Sequence, residues 1–299
     1  MQPFVESNSL LDDPPGLRRR LRHDGYLFLR GILPQDEVLD LRRKIIEICA
    51  EAGWTRSGED SLEAIADRDP VYDDDDDDEY LDVYARVQAL EAFHRLKLDR
   101  NLIRIMEDLF QERVVPFPRT IARISFPTTA ENITQPHQDW IFVGGSTETI
   151  SCWIPLGDVP EAVGGLRILA GSHKAGFLKP RPAGGSGGRT VDVDPALEWH
   201  QSGFRCGDIL LFKMFTVHAA APNRTPDAIR LSIDVRYTGT SHAVGERWLR
   251  PDPPDVGEPF TWDTLDKEWR DSPVARYWER GYDLKIVRHD WFWENDGTS

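Results

Sequence analysis

The chain has 299 residues, with 36 Lys plus Arg against 51 Asp plus Glu, and a formal net charge of −15. A chain of this length can bury a large core, and 40% hydrophobic with 10% aromatic residues excludes wholesale disorder. The acidic balance argues against nucleic acid and against an anionic membrane as partners, because both are bound through a basic face.

The cysteines and the N-terminus indicate the compartment. Cys49, Cys152 and Cys206 form no Cys-x-x-Cys pair and no disulfide framework, which favours a reducing compartment. The N-terminal segment has acidic residues and prolines where a signal peptide has an apolar centre. The longest apolar runs are far below the roughly 18 residues that span a membrane. We therefore expect a cytoplasmic protein, either a monomer or a homodimer.

Residues 1–114 are predicted to be mostly helical. A first helix ends at Gly25, and the apolar run Tyr26–Leu29 is typical of a buried strand. Pro34 to Ala52 forms an amphipathic pattern, with Pro34 at the start and Gly53 at the stop. Its apolar residues recur at helical spacing: Val38, Leu41, Ile45 and Ile48.

The acidic run Asp73–Glu79 interrupts this helical part. Seven adjacent carboxylates repel one another, so we expect a mobile, solvated loop. A calcium loop is the less favoured alternative, because calcium loops alternate their ligands with turn residues. Leu81 to Phe110 then predicts two helices, separated near Asp99 and Arg100.

Short strands with turn residues between them characterise residues 115–240. This pattern favours a closed antiparallel β architecture, so we expect a mainly β fold with flanking helices. The segments read as strands are Thr120–Phe126, Thr149–Ile154, Val191–Val193, Ile209–Phe212 and Leu231–Val235.

Aromatic residues are concentrated in the last segment, residues 241–299. Trp269 to Tyr282 is compatible with a helix that packs on the β core. A dimer contact or a lid over the active site is the alternative function for this segment, which also contains Trp291 and Trp293.

Two histidines and one carboxylate form a candidate metal site. His137 and Asp139 are two residues apart, and in a strand such residues point to the same face. His218 follows the strand-like Ile209–Phe212. Two imidazoles and one carboxylate on one face of an ion leave coordination positions open, which suits non-haem Fe(II) and O2. A structural zinc site would use four ligands, and the sequence offers no evident fourth one.

An arginine and a serine follow the second histidine. A turn-rich loop leads from His218 to a strand that begins near Arg230, and Ser232 shares the face of Arg230. A guanidinium group with a neighbouring hydroxyl is well suited to bind a distal carboxylate, because the guanidinium can do so in bidentate fashion.

With these motifs in this order, the stretch from Gln135 to Tyr237 resembles the phytanoyl-CoA dioxygenase (PhyH-like) family of Fe(II)/2-oxoglutarate-dependent oxygenases. The N-terminal His23–Tyr26 also resembles the family's opening. The residues that carry the resemblance are His137-Gln138-Asp139, Cys152–Asp158, Gly164–His173, Gly207-Asp208-Ile209, His218, Pro222-Asn223 and Arg230.

The resemblance implies a fold and a set of site residues. The fold is a double-stranded β-helix, a cupin-like jelly roll with flanking helices, in a single PhyH-like domain over residues 1–299. His137, Asp139 and His218 would bind Fe(II). Arg230 and Ser232 would bind the C5 carboxylate of 2-oxoglutarate, although Arg230 lies one residue further from His218 than is usual in the family. Thr149 would be a further contact to this cosubstrate.

Three other residues are candidate substrate contacts: Arg123, Trp140 and Trp153. Arg123 shares a strand face with Ile121 and Ser125, where it would either meet an anionic group or lie at the surface. Trp140 would line the pocket or point into the core. Trp153 would pack beside the cosubstrate or serve only the core.

The resemblance also implies an activity. The expected reaction is oxidation of a small-molecule metabolite, with 2-oxoglutarate and O2 converted to succinate and CO2. Because related iron halogenases lack the carboxylate ligand, Asp139 favours hydroxylation, desaturation or cyclisation over halogenation. The substrate expected is a hydrophobic or amino-acid-derived compound of secondary metabolism. The alternative is a catalytically silent jelly-roll protein that binds a metal or a ligand.

Overall fold

Helices dominate the first third of the chain and strands the middle, in a computed structural model that describes residues 1–56, 62–67, 77–127, 133–254 and 256–288. The α-helices are α1 (Pro14–Asp24), α2 (Gln35–Glu51), α3 (Asp77–Gln88), α4 (Glu91–Arg95), α5 (Arg100–Phe110), α6 (Trp140–Val143), α7 (Trp262–Leu265) and α8 (Tyr277–Gly281). The strands of the β region are β1 (Tyr26–Leu29), β2 (Val114–Pro116), β3 (Ile121–Ser125), β4 (Ile150–Pro155), β5 (Leu166–Leu169), β6 (Arg181–Pro182), β7 (Arg189–Thr190), β8 (Trp199–His200), β9 (Ile209–Lys213), β10 (His218–Ala220) and β11 (Arg230–Gly239). Two further strands, β12 (Ala243–Gly245) and β13 (Lys285–Val287), pair in parallel.

The larger sheet has six antiparallel strands in the order β1-β9-β4-β11-β2, with β3 also paired to β11. The long strand β11 is central, since β4 lies on one side and β2 and β3 on the other. Residues on β11 alternate between two faces. Leu231, Ile233 and Val235 belong to the hydrophobic cluster that the helices cover, so the alternate residues of β11 face the opposite side.

The smaller sheet has the strand order β10-β5-β8. It faces the larger sheet across an aromatic cluster that contains Phe28 and Trp153 from one sheet and Leu166 and Ile168 from the other. This arrangement confirms the mainly β fold with flanking helices. Within the described residues the strands form two facing sheets, in agreement with the jelly roll that the resemblance implies.

The N-terminal helices follow the sequence prediction closely. α1 ends at Gly25, whose φ of 82° is favourable only for glycine, and a Cβ there would lie 2.4 Å from the His173 ring. Strand β1 has the predicted bounds. The predicted apolar face of α2 is buried in the cluster between the helices and the larger sheet.

Several local predictions differ from the structure. Leu81 to Phe110 contains parts of three helices, because α4 forms a separate turn before Asp99 caps the N-terminus of α5. The acidic run is not a loop throughout, since α3 begins at Asp77, while residues 73–76 lie outside the described residues. Strand β7 ends at Thr190, so Val191–Val193 is not a strand.

The C-terminal segment packs on the helical part without the single helix predicted over Trp269–Tyr282. Trp269 ends a 3-10 turn and its Nε1 donates to the Ala89 carbonyl oxygen at 2.8 Å. Trp262 and Trp269 enclose the ring of His94, with ring centroids 5.3 and 5.4 Å away. Trp291 and Trp293 lie outside the described residues. No described helix has the length and apolar character needed to cross a membrane.

The enclosure of His94 makes stability depend on pH. Burial, together with repulsion from Lys97, holds the pKa of His94 well below its ordinary value of 6.5. Below about pH 6.5 the unfolded chain therefore binds a proton that the folded chain excludes, and stability falls as the pH falls. When the pH is lowered from about 7.5 to about 5.5, the unfolding free energy of the wild type should fall by about 1.4 kcal/mol more than that of His94→Gln, as measured by urea titration. Equal losses of unfolding free energy in the wild type and in His94→Gln would contradict this dependence on His94.

Candidate active site

Backbone pairing brings the two predicted histidine ligands together. The His137 amide donates to the His218 carbonyl oxygen and the His218 amide donates to that of His137, each at 3.0 Å. This isolated antiparallel bridge adds the His137 segment to the edge of β10. The two imidazole rings lie with their centroids 4.1 Å apart.

Each ring is oriented by a carbonyl oxygen two residues earlier in the chain. Nδ1 of His137 donates to the Gln135 carbonyl at 2.8 Å, and Nδ1 of His218 donates to the Thr216 carbonyl at 3.1 Å. Because a carbonyl only accepts, Nδ1 carries the proton in both rings and Nε2 keeps its lone pair. Such backbone partners are typical of metal-bound histidines.

Asp139 completes the candidate metal site from the start of a helix. The chain turns from the bridge at His137 into the helical conformation of Asp139, which precedes α6, so the two residues do not share a strand as predicted. Asp139 Oδ1 nevertheless lies 3.8 Å from His137 Nε2 and 3.7 Å from His218 Nε2. The three ligand atoms are all within 4.8 Å of one another.

The other carboxylate oxygen of Asp139 is held by two donors. Arg236 Nη2 donates to Asp139 Oδ2 at 2.8 Å, and Ser151 Oγ donates to the same oxygen. All three side chains are buried. Because both donors bind Oδ2, Oδ1 is the oxygen that faces the histidines. The carboxylate is therefore oriented to bind a metal through one oxygen.

Burial and neighbouring charges set the protonation of the three groups. Burial, with repulsion from His218, lowers the pKa of His137 to about 3, and burial also lowers the pKa of His218. Burial alone would raise the pKa of Asp139, but Arg236 and the two histidines hold it below the usual range. At neutral pH the site therefore presents two neutral imidazoles and one carboxylate, the forms that bind metals.

This donor set fits an Fe(II) ion that retains open coordination positions. Two imidazole nitrogens and one carboxylate oxygen are the ligands of non-haem iron oxygenases. Among the described residues, the candidate metal group contains only these three members. A structural zinc site would need a fourth.

Arg230 and Ser232 lie at the N-terminal end of β11, where Arg230 lines a cavity of about 600 Å³. Arg230 donates to the Gly164 carbonyl at 2.8 Å and to Ser125 Oγ at 2.7 Å. Burial, with repulsion from Arg123, lowers its pKa to about 10, so the guanidinium remains charged at neutral pH. Within the described chain, Arg230 Nε and Ser232 Oγ are buried without a hydrogen-bond partner. An acceptor such as a carboxylate would satisfy both groups.

Thr149 does not lie near Arg230. It precedes Ile150, which pairs with Tyr237, and Tyr237 is seven residues beyond Arg230 on β11, about 24 Å of strand at roughly 3.4 Å per residue. Ser151, two residues later, contacts the metal carboxylate instead.

The two predicted tryptophan contacts face apolar clusters. Trp153 is 1% exposed and packs 4.6 Å from the Phe204 ring in the cluster between the sheets. Trp140 packs behind the metal site, 5.7 Å from the Phe215 ring. Phe142, two residues after Trp140, lines a smaller cavity that reaches the metal site, and its ring lies 5.7 Å from that of His137.

Arg123 connects the two cavities. It lines both the 600 Å³ cavity and a cavity of about 230 Å³ that reaches His137 and Asp139. Its Nε donates to Asp234 at 2.8 Å, and its Nη1 donates to Ser186 Oγ at 3.3 Å. Arg123 is thus neither a free surface residue nor an unpaired charge.

Sequence reasoning missed Arg236 and Ser151. Arg230, Ser232, Asp234 and Arg236 alternate along β11, so the period of two places Arg236 on the face already assigned to Arg230. That signal was present in the sequence. No sequence signal pointed to Ser151, because its contact with Asp139 depends on the register between β4 and β11, in which Ser151 pairs with Arg236.

The chain is similar in sequence to a family and to two curated proteins. The sequence model of the phytanoyl-CoA dioxygenase (PhyH) family matches residues 21–232. The 1-deoxypentalenic acid 11-beta-hydroxylase of Streptomyces arenae is 27% identical over 269 residues, covering 84% of this chain and 90% of the relative. The protein of the same name from Streptomyces exfoliatus is 27% identical over 276 residues, covering 85% and 91%.

Solved structures support the fold. The 2-oxoglutarate-dependent epimerase SnoN from nogalamycin biosynthesis has a TM-score of 0.54 at 23% identity, covering 85% of this chain and 91% of its own. EctD from S. alaskensis with bound Fe also has a TM-score of 0.54, at 16% identity, covering 97% and 95%. At these identities the likeness concerns the fold alone.

The second donor to Asp139 provides a test of the metal site. Ser151→Ala removes one of the two hydrogen bonds to Oδ2, so the carboxylate should be less well oriented and Fe(II) should bind about tenfold more weakly. Anaerobic calorimetric titration with Fe(II) measures this. Thr149→Val removes a buried hydroxyl immediately before β4 and is the matched control. Equal losses in the two variants would contradict the role of Ser151.

Proposed function

Because the chain belongs to the phytanoyl-CoA dioxygenase family of Fe(II)- and 2-oxoglutarate-dependent oxygenases, we propose that it hydroxylates a small-molecule metabolite at the site formed by His137, Asp139 and His218. The observation that carries this proposal is the convergence of two neutral imidazole nitrogens and one carboxylate oxygen beside a cavity. The hydroxylase names of the two curated relatives support hydroxylation as the outcome. Desaturation and cyclisation are the other outcomes of the same chemistry.

Each side chain has a defined task in this proposal. His137, Asp139 and His218 hold Fe(II), which when bound supplies the activation of O2 together with 2-oxoglutarate. Arg230 binds the distal carboxylate of 2-oxoglutarate in bidentate fashion, with Ser232 as a further donor. The buried donors on these two residues are available for this contact.

Aromatic side chains shield the metal site from bulk water. The Phe212 ring lies 4.4 Å from the His218 ring, and the Phe142 ring lies 5.7 Å from that of His137. Exclusion of water protects a reactive site from side reactions. The chain acts in this proposal as a single cytoplasmic domain over residues 1–299, as a monomer or a homodimer.

Uncoupled turnover tests the activity without knowledge of the substrate. The purified full chain, loaded with Fe(II) and given 2-oxoglutarate and O2, should release succinate and consume O2. A protein with bound iron that neither releases succinate nor binds 2-oxoglutarate would instead be a silent binding protein. His137→Ala and Asp139→Ala should lose Fe(II) binding, because each removes one of only three ligands.

The cosubstrate assignment has its own prediction. Arg230→Ala should raise the 2-oxoglutarate concentration for half-maximal succinate release by at least about thirtyfold, since it removes one partner of a buried charge pair. Arg230→Lys should recover only part of this, because lysine lacks the bidentate fork. Arg224→Ala, at an exposed position on the loop that precedes β11, is the control. An unchanged requirement in Arg230→Ala would exclude Arg230 as the cosubstrate ligand.

A further inference from the structure

Five guanidinium groups surround the smaller cavity, beside the metal site. We call this set the arginine wall; its members are Arg119, Arg123, Arg189, Arg236 and Arg247. The described lining contains two carboxylates, Asp139 and Asp252. A positive lining is unexpected in a chain with a net charge of −15. An excess of one sign of charge in a cleft concentrates ligands of the opposite sign.

Arg236 supplies the second, independent observation. It is only 4% exposed, and its Nη2 already binds Asp139. Within the described residues its Nε and Nη1 have no hydrogen-bond partner. Buried donors normally have an acceptor, because leaving one without a partner is costly. Arg236 also lines the cavity, so these two donors lie next to a space that a ligand can occupy.

The same cavity has an apolar side. Ile121, Phe142, Trp248 and Pro254 line it together with the arginine wall. The Trp248 ring is itself held against the wall, with Arg119 at 4.9 Å and Arg236 at 5.0 Å from the ring centroid. Cationic donors and aromatic surface in one small cavity suit an amphiphilic ligand, one with an apolar body and an acidic group.

The distal carboxylate of 2-oxoglutarate has a different place in the proposed function. Arg230 lines the larger cavity, six residues before Arg236 and about 20 Å away along β11 at roughly 3.4 Å per residue. Each of these two arginines has a buried donor without a partner in the described chain. Two separate sets of donors indicate two separate anionic groups.

We infer that the substrate is an organic anion, whose oxyanion group binds to the arginine wall and whose apolar body lies against Phe142 and Trp248, beside the metal site. This inference rests on the proposed function and names the substrate class of the same site. A carboxylate and a phosphate ester share the required chemistry, because a guanidinium fork binds either group in bidentate fashion.

Binding to the metal-free full chain tests the inference apart from turnover. The probes are cyclohexanecarboxylate, its uncharged amide and cyclohexyl phosphate, titrated at up to millimolar concentration while tryptophan fluorescence and calorimetric heat are recorded. The carboxylate or the phosphate should bind at least about tenfold more tightly than the amide. The tighter of the two acids identifies the substrate group. Equal affinities for acid and amide, or binding of none of the probes, would overturn the inference.

Two variants and a matched control locate the binding. Arg189→Gln and Arg247→Gln should each weaken binding of the acid about tenfold and leave binding of the amide unchanged. Arg181→Gln is the control, since Arg181 lies on the strand paired with that of Arg189, with its side chain 59% exposed and bound to Asp192. Equal effects at Arg181 and Arg189 would contradict a specific site.

The succinate assay separates this inference from the proposed function. If the wild type releases succinate with Fe(II) and 2-oxoglutarate but does not prefer the acid probe, only the inference fails. If the acid is preferred but no succinate is released, the proposed function fails and the anion site remains. The 2-oxoglutarate requirement should be unchanged in Arg189→Gln and Arg247→Gln. A raised requirement would assign the arginine wall to the cosubstrate and refute the inference.

Discussion

The reciprocal backbone hydrogen bonds between His137 and His218 are the constraint on which the site depends. They join residues 81 positions apart and bring the two imidazoles to one place. The Gln135 and Thr216 carbonyls then set the orientation of each ring. Preorganisation of this kind matters because the supporting contacts of a metal ligand hold it in the geometry that the metal requires. Asp139 needs a comparable restraint, which Arg236 and Ser151 supply.

Charge compensation at this site extends outward from the metal ligands. Asp139 is paired with Arg236, and Arg123 is paired with Asp234 on the same strand. The charges of Asp139 and Arg236 can remain buried because each has a partner of the opposite sign. The same face of β11 therefore carries both the support for the metal carboxylate and part of the surface on which an anionic ligand can lie.

Sequence patterns predicted the general fold and the three residues that meet at the candidate metal site, but they did not predict the contacts between distant strands. The alternation of apolar and polar residues predicted β3, β4 and β11, and apolar runs predicted β1 and β9. Residue types and spacing singled out His137, Asp139, His218 and Arg230, and the resemblance to the PhyH-like family gave them roles. Asp139 was expected on a strand but lies at the start of a helix, because the chain turns after His137. The positions of Thr149 and Ser151 depend on the register between β4 and β11, which a single sequence does not determine. Trp140 and Trp153 pack in apolar clusters between distant segments, which are contacts that a single sequence does not determine.

The two-faced character of β11 has a consequence for how this scaffold can change. Its apolar side chains are locked into the cluster under the helices, so a slip of one residue would turn the whole polar row towards the core. β11 therefore holds the iron site and the cosubstrate site at a fixed distance from each other. The remaining cavity walls come from the hairpin around Arg189 and the segment from Arg247 to Pro254, which lie outside the main sheet. Evolution or engineering can therefore change these two segments to accept other substrates, while the metal site and the cosubstrate site stay intact.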